Sequence, residues 1–306
     1  MKVCFVGAGS IGQRHIRNLC EIARRREMEL TIHLLKSTDR PLDEDIRRRI
    51  GHIADSWDKL DRHYDAVFIT NPTHLHYRTL KTAYAFSDSF FIEKPVFDNV
   101  DADISPFDRP DKKSYVACPL RYTGVLLEAE RIVRSEAVLS ARAISSSYLP
   151  DWRKGTDYRK TYSAHREQGG GVRLDIIHEW DYLTALFGFP EKVRSFSGTY
   201  SALEIDSEDL AVYIAQYPGK LVELHLDYFG RSRTRTLELR TDRHLYEFDL
   251  VHQTIRTDGM ISAQLEEDLN EMYLREMDHF IRFCNGAEPS GNDIRHALDV
   301  MKTALQ

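Results

Sequence analysis

The first part of the chain alternates short apolar runs with longer stretches of helical periodicity. The apolar runs predict buried strands at about residues 2–6, 30–35, 66–70, 89–92 and 115–118. The stretches between them predict helices, the first up to about residue 27 and another over 74–85. Buried strands separated by helices are typical of a parallel sheet covered on both faces. We therefore predict a doubly wound α/β domain over residues 1–120.

Beyond residue 121 apolar and polar positions alternate over long stretches. This alternation predicts strands at 139–149, 193–200, 210–217, 221–228, 236–240 and 244–250. Helical periodicity predicts helices at 122–135, 172–187, 265–284 and 293–305. We therefore predict a second α/β domain, residues 121–306, with a large, mostly antiparallel open sheet that has one wetter face.

Composition narrows the class of protein. The chain has 306 residues, 42% apolar and 29% charged, which suits two globular domains. Its net charge of −6 favours neither nucleic acid nor an anionic membrane as a partner. No apolar stretch approaches the ~20 residues of a membrane span, and no signal peptide is apparent, so we expect a cytoplasmic enzyme. No metal is expected, because the four cysteines lack metal spacing and read as reduced thiols: Cys4, Cys20, Cys118 and Cys284.

Residues 7–12 read Gly-Ala-Gly-Ser-Ile-Gly directly after the first apolar run. Gly7 would permit a tight turn, Gly9 the close approach of a pyrophosphate, and Gly12 close packing of the following helix. The free N–H groups of a helix that starts near Ser10 and Ile11 would face the phosphates. The spacing predicts a Rossmann dinucleotide-binding domain, and the alternative is a glycine-rich turn without a ligand.

The end of the second strand bears on which dinucleotide binds. A carboxylate there would bind the ribose 2′-hydroxyl of NAD, whereas a cation or hydroxyl would accept the 2′-phosphate of NADP. The first polar residues here are Lys36 and Ser37, which favours NADP over NAD. In the alternative interpretation Lys36 is a surface residue and Asp39 binds the ribose.

Polar residues follow two further strands. Asn71, Pro72 and His76 follow one strand, and Glu93 and Lys94 end the next, so we expect all five to contact the cofactor. Burying an unpaired ammonium is costly, so Lys94 is predicted to point at a reacting oxygen in a cleft. The alternatives are a solvent-facing lysine and, for the histidine, local hydrogen bonds at a helix start.

A triple glycine at 169–171 opens the predicted helix over 172–187. At about 100° per residue, Asp175, His178 and Tyr182 share one side of that helix. A histidine beside a carboxylate suits proton transfer near neutral pH. We therefore predict His178 as the general base, Asp175 as the group that tunes it, and Tyr182 as a substrate contact.

The segment before the triple glycine is rich in aromatic residues and arginine. Trp152 and Tyr162 could stack on a sugar ring, and Arg153 could hold a carboxylate or phosphate through two hydrogen bonds. We predict that these residues, together with Arg121, bind substrate. The alternative is a structural surface loop.

These motifs together resemble the glucose–fructose oxidoreductase / inositol dehydrogenase (Gfo/Idh/MocA) family. The resemblance rests on GAGSIGQRH at 7–15, TNPTHLHY at 70–77, EKP at 93–95 and GGGVRLDIIHEWDYLTALFG at 169–188. It implies a Rossmann domain followed by an α/β domain whose open sheet often mediates oligomers, so we expect a homodimer or homotetramer. It also implies that Lys94 and His178 are catalytic with Asp175 alongside, and often a cis peptide before Pro95. Many members place the histidine four residues after the aspartate, whereas three separate them here.

The resemblance implies an NAD(P)-dependent oxidoreductase acting on a sugar or sugar derivative. The segment YLPDWRKGTDYRKTYSA further resembles members associated with bacterial surface sugars, which implies a nucleotide-linked or acidic sugar. Two alternatives remain open. One is a hydrolysis or elimination assisted by transient oxidation with a tightly held cofactor. The other is a non-catalytic sensor that binds a dinucleotide and a partner protein.

Overall fold

The computed structural model describes residues 1–38 and 41–306 and divides into two compact units. The first unit contains residues 1–119 and 270–299, and the second contains 120–269 and 300–306. The predicted boundary at residue 120 therefore agrees to within one residue. The assignment of residues 270–299 to the second domain is wrong, because they return to the first unit. Asp39, the alternative ribose ligand, lies outside the described residues.

The first unit contains a six-stranded parallel sheet. Its strands are β1 (Lys2–Val6), β2 (Thr31–Leu35), β3 (His52–Ala54), β4 (Ala66–Ile69), β5 (Ser89–Ile92) and β6 (Lys113–Val116). Their spatial order is β3-β2-β1-β4-β5-β6, and every neighbouring pair is parallel. This order confirms the doubly wound Rossmann sheet, in which ligands bind beyond the carboxyl ends of the strands. Only β3 was not predicted, because three residues are too few to show a pattern.

Eight α-helices are described. They are α1 (Ser10–Arg25), α2 (Glu44–Arg49), α3 (His76–Ala83), α4 (Gly124–Ser135), α5 (Val172–Asp175), α6 (His178–Phe187), α7 (Glu271–Cys284) and α8 (Ile294–Ala304). None of these helices is long and apolar enough to cross a membrane.

Helix α7 explains why residues 270–299 belong to the first unit. Its buried side chains, among them Met277 and Phe280, join the core formed by α1 and the first sheet. The ring of Phe280 lies 5.2 Å from the rings of both Phe68 on β4 and Phe91 on β5. Burial of this apolar face, at about 25 cal/mol per Å², holds the helix in the first unit although it lies far along the chain.

The second unit contains an eight-stranded sheet. Its strands are β7 (Val138–Tyr148), β8 (Lys192–Gly198), β9 (Leu210–Tyr217), β10 (Lys220–Asp227), β11 (Phe229–Thr241), β12 (Leu245–Asp249), β13 (Thr254–Thr257) and β14 (Met260–Gln264). The order is β14-β13-β12-β11-β7-β10-β9-β8. Only β7 and β10 pair in parallel, which confirms the predicted, mostly antiparallel sheet. The sequence analysis missed β13 and β14, because few of their side chains are buried.

The predicted continuous helix over residues 172–187 is wrong. Helix α5 ends at Asp175, and Ile176 leaves the helical region with φ −101° and ψ 35° before α6 begins at His178. Ile176 and Ile177 are only 3% and 5% exposed, so the interruption buries two β-branched side chains that favour helices weakly. The angle between Asp175 and His178 is therefore not the one that a regular helix would give.

Candidate functional site

The loop between β1 and α1 uses its three glycines in three different ways. Gly7 has φ +91°, and a Cβ there would lie 2.9 Å from the Cα of Asn71, so only glycine fits. A Cβ on Gly12 would lie 2.9 Å from both the carbonyl oxygen of Gly7 and Oγ1 of Thr70. Gly12 therefore lets α1 pack closely against the ends of β1 and β4.

Gly9 differs from its two neighbours, because a Cβ there would meet no described atom within 4 Å. No side chain within residues 1–38 or 41–306 caps the N-terminus of α1, so its first N–H groups remain available. The side-chain oxygen of Asn71 is buried without a hydrogen-bond partner among the residues described. Space and free N–H donors at the carboxyl end of a parallel sheet fit the pyrophosphate of a dinucleotide, and the free acceptor of Asn71 fits a hydroxyl or amide donor of the same ligand.

The end of β2 places Lys36 and Ser37 as predicted, directly beyond the strand. The backbone N–H of Lys36 donates to the carbonyl of Ala54 at 2.9 Å, which fixes the chain beside β3. Lys36 is half-buried and Ser37 is exposed. Their roles in choosing between NADP and NAD remain predictions.

His15 and Glu93 form a buried pair that the sequence analysis did not identify. Nε2 of His15 donates to Oε1 of Glu93 at 2.5 Å, and the two side chains are 0% and 12% exposed. Burial alone would raise the pKa of Glu93. The hydrogen bond from His15, with the charges of His15, Lys94 and His76, instead holds that pKa below its usual value. The pair links α1 to the end of β5, so Glu93 is bonded internally.

Lys94 follows Glu93 and precedes a cis peptide bond to Pro95, which confirms the cis bond implied by the resemblance. The backbone N–H of Lys94 donates to Oε2 of Glu93 at 3.2 Å. No carboxylate of the described chain forms an ion pair with its ammonium group. Lys94 is therefore a half-buried cation at the end of a parallel strand, where ligands bind.

His76 is 1% exposed, and both of its ring nitrogens lie near backbone carbonyl oxygens, to one of which the neutral ring donates. Nε2 lies 2.9 Å from the carbonyl oxygen of Asn71, and Nδ1 lies 3.1 Å from that of Pro95. Both ring nitrogens lie against the backbone, as the alternative of local hydrogen bonds expects, and the contact of His76 with a cofactor stays a prediction. The ring joins the end of β4 to the segment after Lys94.

In the second unit, Asp175 accepts two tyrosine hydroxyls. Tyr162 donates to Oδ1, and Tyr228 donates to Oδ2 at 2.9 Å. Asp175 is 9% exposed, so this carboxylate is almost removed from solvent and satisfied by neutral donors. Burial raises the pKa of both tyrosines, and the charge of Asp175 raises it further, so both hydroxyls keep their protons.

The triple glycine brings the chain close to its own backbone. A Cβ on Gly170 would overlap the carbonyl oxygens of Tyr162 and Ser163, and Gly171 has φ +116°. Glycine at these positions therefore lets the chain carrying Tyr162 lie directly against the start of α5. This contact explains how Tyr162 reaches Asp175.

Trp152 and Arg153 lie beside this tyrosine–aspartate cluster. The Trp152 ring meets the Tyr228 ring edge-on at 5.3 Å, and the Arg153 guanidinium lies 5.6 Å from the centre of the Tyr162 ring. Trp152 and Tyr162 are 39% and 40% exposed. The structure thus joins Trp152, Arg153, Tyr162 and Asp175, and Tyr228 completes the cluster.

The other predicted residues of the second unit are placed differently. His178 begins α6 and is half-buried. Tyr182 is 1% exposed, so the predicted polar face shared with Asp175 is wrong, and its ring belongs to the core. Arg121 donates from Nε and Nη2 to Asp181 at 2.8 Å each, so two of its donors are already used within the unit.

Sequence reasoning missed His15, Asp181 and Tyr228. His15 lies three residues after the last glycine of the motif, a position to which no role was assigned. Tyr228 directly follows β10, where nothing in the alternation distinguishes it from a core residue. Only the pairing of strands brings it to Asp175.

The sheet order and the three glycine environments define the first unit as a Rossmann domain built to bind a dinucleotide. Residues 1–105 match the Gfo/Idh/MocA family, described as an oxidoreductase family with an NAD-binding Rossmann fold. This match confirms the resemblance and assigns the dinucleotide-binding part of the chain to that family. No curated protein matches the chain in sequence.

Solved structures resemble the chain over nearly its whole length. A levoglucosan dehydrogenase in complex with NADH and levoglucosan has a TM-score of 0.83 at 16% identity, covering 99% of this chain and 95% of that one. The UDP-N-acetylglucosamine 3-dehydrogenase of Acidithiobacillus ferrooxidans has 0.77 at 19%, covering 100% and 96%. The WlbA dehydrogenase of Bordetella pertussis, in complex with NADH and UDP-GlcNAcA, has 0.76 at 17%, covering 98% and 93%. These likenesses establish a shared fold.

Proposed function

We propose that the protein is an NAD(P)-dependent oxidoreductase that transfers a hydride between the nicotinamide cofactor and a hydroxyl or carbonyl carbon of a sugar or sugar derivative. The observation that carries the proposal is the contrast among the glycines of the first loop. The protein itself requires glycine at Gly7 and Gly12. Nothing in the described chain requires it at Gly9, where a pyrophosphate would lie.

The chemistry divides among few residues. A bound nicotinamide would supply the hydride acceptor. His178 would take the proton from the sugar hydroxyl, and Asp175, held by its two tyrosines, would tune the charge around that histidine. Lys94 would donate a hydrogen bond to the same oxygen as negative charge develops on it. The roles of these three residues rest on the family resemblance.

We extend this proposal to the class of sugar that is the substrate and to the preference for NADP or NAD. The compounds in the names of the similar structures include levoglucosan and nucleotide sugars, which supports a sugar derivative, here a nucleotide-linked or acidic sugar. Lys36 and Ser37 at the end of β2 support NADP over NAD, although the matching family is described as NAD-binding.

We also propose a homodimer or homotetramer formed through the second sheet. Phe196, Ile214 and Leu221 are 79%, 42% and 50% exposed. The strand register places them on one face of β8, β9 and β10. Exposed apolar side chains on one sheet face are typical of an interface. The cytoplasmic location expected from the sequence is likewise a proposal.

The test is cofactor reduction with a panel of compounds. The purified protein would be mixed with NAD or NADP and, in turn, neutral sugars, inositols, sugar phosphates, uronic acids and nucleotide sugars. We expect nicotinamide reduction with at least one compound. Conversion of a sugar with the cofactor recovered unchanged would instead support redox-assisted hydrolysis or elimination, and dinucleotide binding without any conversion would support a sensor.

A further inference from the structure

Two arginines of the second unit lie on tyrosine rings. The guanidinium of Arg231 lies 3.9 Å from the centre of the Tyr148 ring, and that of Arg153 lies 5.6 Å from the centre of the Tyr162 ring. Neither has a carboxylate partner in residues 1–38 or 41–306, and the same holds for Lys154 and Arg233. By contrast, many arginines elsewhere are ion-paired, as Arg17 is with Asp43 and Asp45 and Arg159 is with Asp157 and Glu204.

The segments that carry these cations adjoin one another. Tyr148 at the end of β7 is paired with Phe229 at the start of β11, and the N–H of Leu149 donates to the carbonyl of Tyr228 at 2.8 Å. Trp152 extends the contact through its ring on Tyr228 and its Nε1, which donates to Oγ of Ser147 at 2.9 Å. The cations at 153, 154, 231 and 233 are therefore carried by two adjoining segments, with Asp151 two residues before Arg153 and Asp227 four residues before Arg231.

A tyrosine ring beside an arginine prepares it to bind an anion. The ring restricts the position of the guanidinium without using its N–H donors, and those donors match two oxygens of a phosphate. Unpaired cations around it raise the local positive potential. A neutral sugar would use neither feature, whereas the exposed rings of Trp152 and Tyr162 offer flat surfaces beside the charges.

We propose that Arg153 and Arg231 bind a phosphate ester group of the substrate. The site is linked to the proposed chemistry, because the ring that carries Arg153 belongs to Tyr162, whose hydroxyl donates to Asp175. This inference rests on the proposed function and narrows its substrate from a nucleotide-linked or acidic sugar to a phosphorylated one. The ester is either a sugar monophosphate or the diphosphate of a nucleotide sugar.

Calorimetric titration of the full chain with saturating NADP or NAD tests the proposal, since the cofactor prevents nucleotides from entering the dinucleotide site. The probes are UDP and glucose 1-phosphate, with uridine, glucose and glucuronate for comparison. We expect a phosphate compound to bind, uridine and glucose not to bind, and affinity to fall with added salt. UDP binding without glucose 1-phosphate binding would assign the diphosphate, and binding of glucose 1-phosphate would assign the monophosphate.

The variants are Arg153→Gln and Arg231→Gln. Each should weaken phosphate binding about tenfold or more, since each removes a charge-assisted pair of hydrogen bonds. Arg243→Gln, an exposed arginine beyond the far end of β11, is the control and should leave affinity unchanged. The thermal midpoints of all three proteins should match wild type, because the replaced side chains are exposed.

Three results would overturn the proposal. The first is that neither phosphate compound binds, and the second is that both variants bind the phosphate compounds as tightly as wild type does. The third is that glucuronate binds more tightly than either phosphate compound and loses affinity in the same variants. The titration needs no turnover, so its failure would leave the hydride-transfer proposal intact. Conversely, if the protein oxidised none of the sugars tested, the titration could still detect phosphate binding at this site.

Discussion

The hydroxyl of Tyr228 donates to Oδ2 of Asp175 at 2.9 Å, which brings the residue after β10 to the last residue of α5. Tyr162 donates to the other oxygen of the same carboxylate. Asp175 is thus a buried anion whose two oxygens are each held by a phenol. The carboxylate that was predicted only as a companion of His178 is also an anchor of the local structure.

We expect Tyr228→Phe to lower the free energy of unfolding by about 1–3 kcal/mol, because a buried carboxylate loses a donor. Denaturant unfolding at neutral pH measures it. Tyr217→Phe is a matched control, since the buried Tyr217 hydroxyl has no partner among the residues described and its removal should cost little. Equal effects in the two variants would show that the Tyr228 hydrogen bond does not stabilise the fold.

Gly9→Val should abolish dinucleotide binding while leaving the fold intact. A side chain at Gly9 meets no described atom of the protein, and the backbone φ of −66° suits any residue. Gly7→Val should instead destabilise the protein, because Gly7 has φ +91°. Calorimetry with NAD and NADP, beside thermal unfolding, separates the two effects. Wild-type affinity in the Gly9 variant would mean that the loop is only a turn.

Lys36→Asp should shift preference from NADP toward NAD. A carboxylate would repel the 2′-phosphate of NADP and accept a hydrogen bond from the ribose of NAD. The ratio of the two dissociation constants, measured on wild type and variant, reports the change. An unchanged ratio would place the ribose contact elsewhere, with Asp39 the next candidate.

Glu93→Gln should destabilise the protein by about 2 kcal/mol at neutral pH, through loss of a charged, buried hydrogen bond. The pKa of Glu93 is held below its usual value in the folded state. Its contribution is therefore fully present above the unfolded value of about 4.3 and is lost as pH falls through the folded value. The difference from wild type should shrink in acid.

Unfolding curves from neutral pH down to acid measure that trend. Glu44→Gln is the control, because the exposed Glu44–Arg48 pair should contribute little at any pH. A difference between Glu93→Gln and wild type that stays constant in acid would contradict the assignment of an ionised, paired Glu93.

Local patterns predicted the strands of both sheets well where apolar residues formed a continuous run or alternated clearly with polar ones. The apolar run at 89–92 is β5 without change, and residues 210–217 are β9 without change. The return of α7 to the first unit could not be read in the same way. Its apolar face shows that it is buried but not which core receives it.

The candidate site likewise has one part that the local sequence predicts and another that depends on tertiary packing. The loop at residues 7–12 could be predicted from its glycine spacing, because the role of each glycine depends on its immediate surroundings. The partners of Asp175 come from distant strands and loops, and the break between α5 and α6 follows from tertiary burial of Ile176 and Ile177. Neither depends on a local signal.

The measurement that tests the central claim most directly is turnover of Lys94→Met and His178→Asn on a working sugar substrate, with cofactor affinity measured separately. The account predicts nearly unchanged cofactor affinity and turnover lowered by roughly 100-fold or more in each variant. The His178 variant should also lose the pH dependence due to that imidazole, and Asp175→Asn should lower turnover less. Near-normal turnover in both variants would contradict the proposed chemistry and leave only the dinucleotide-binding domain standing.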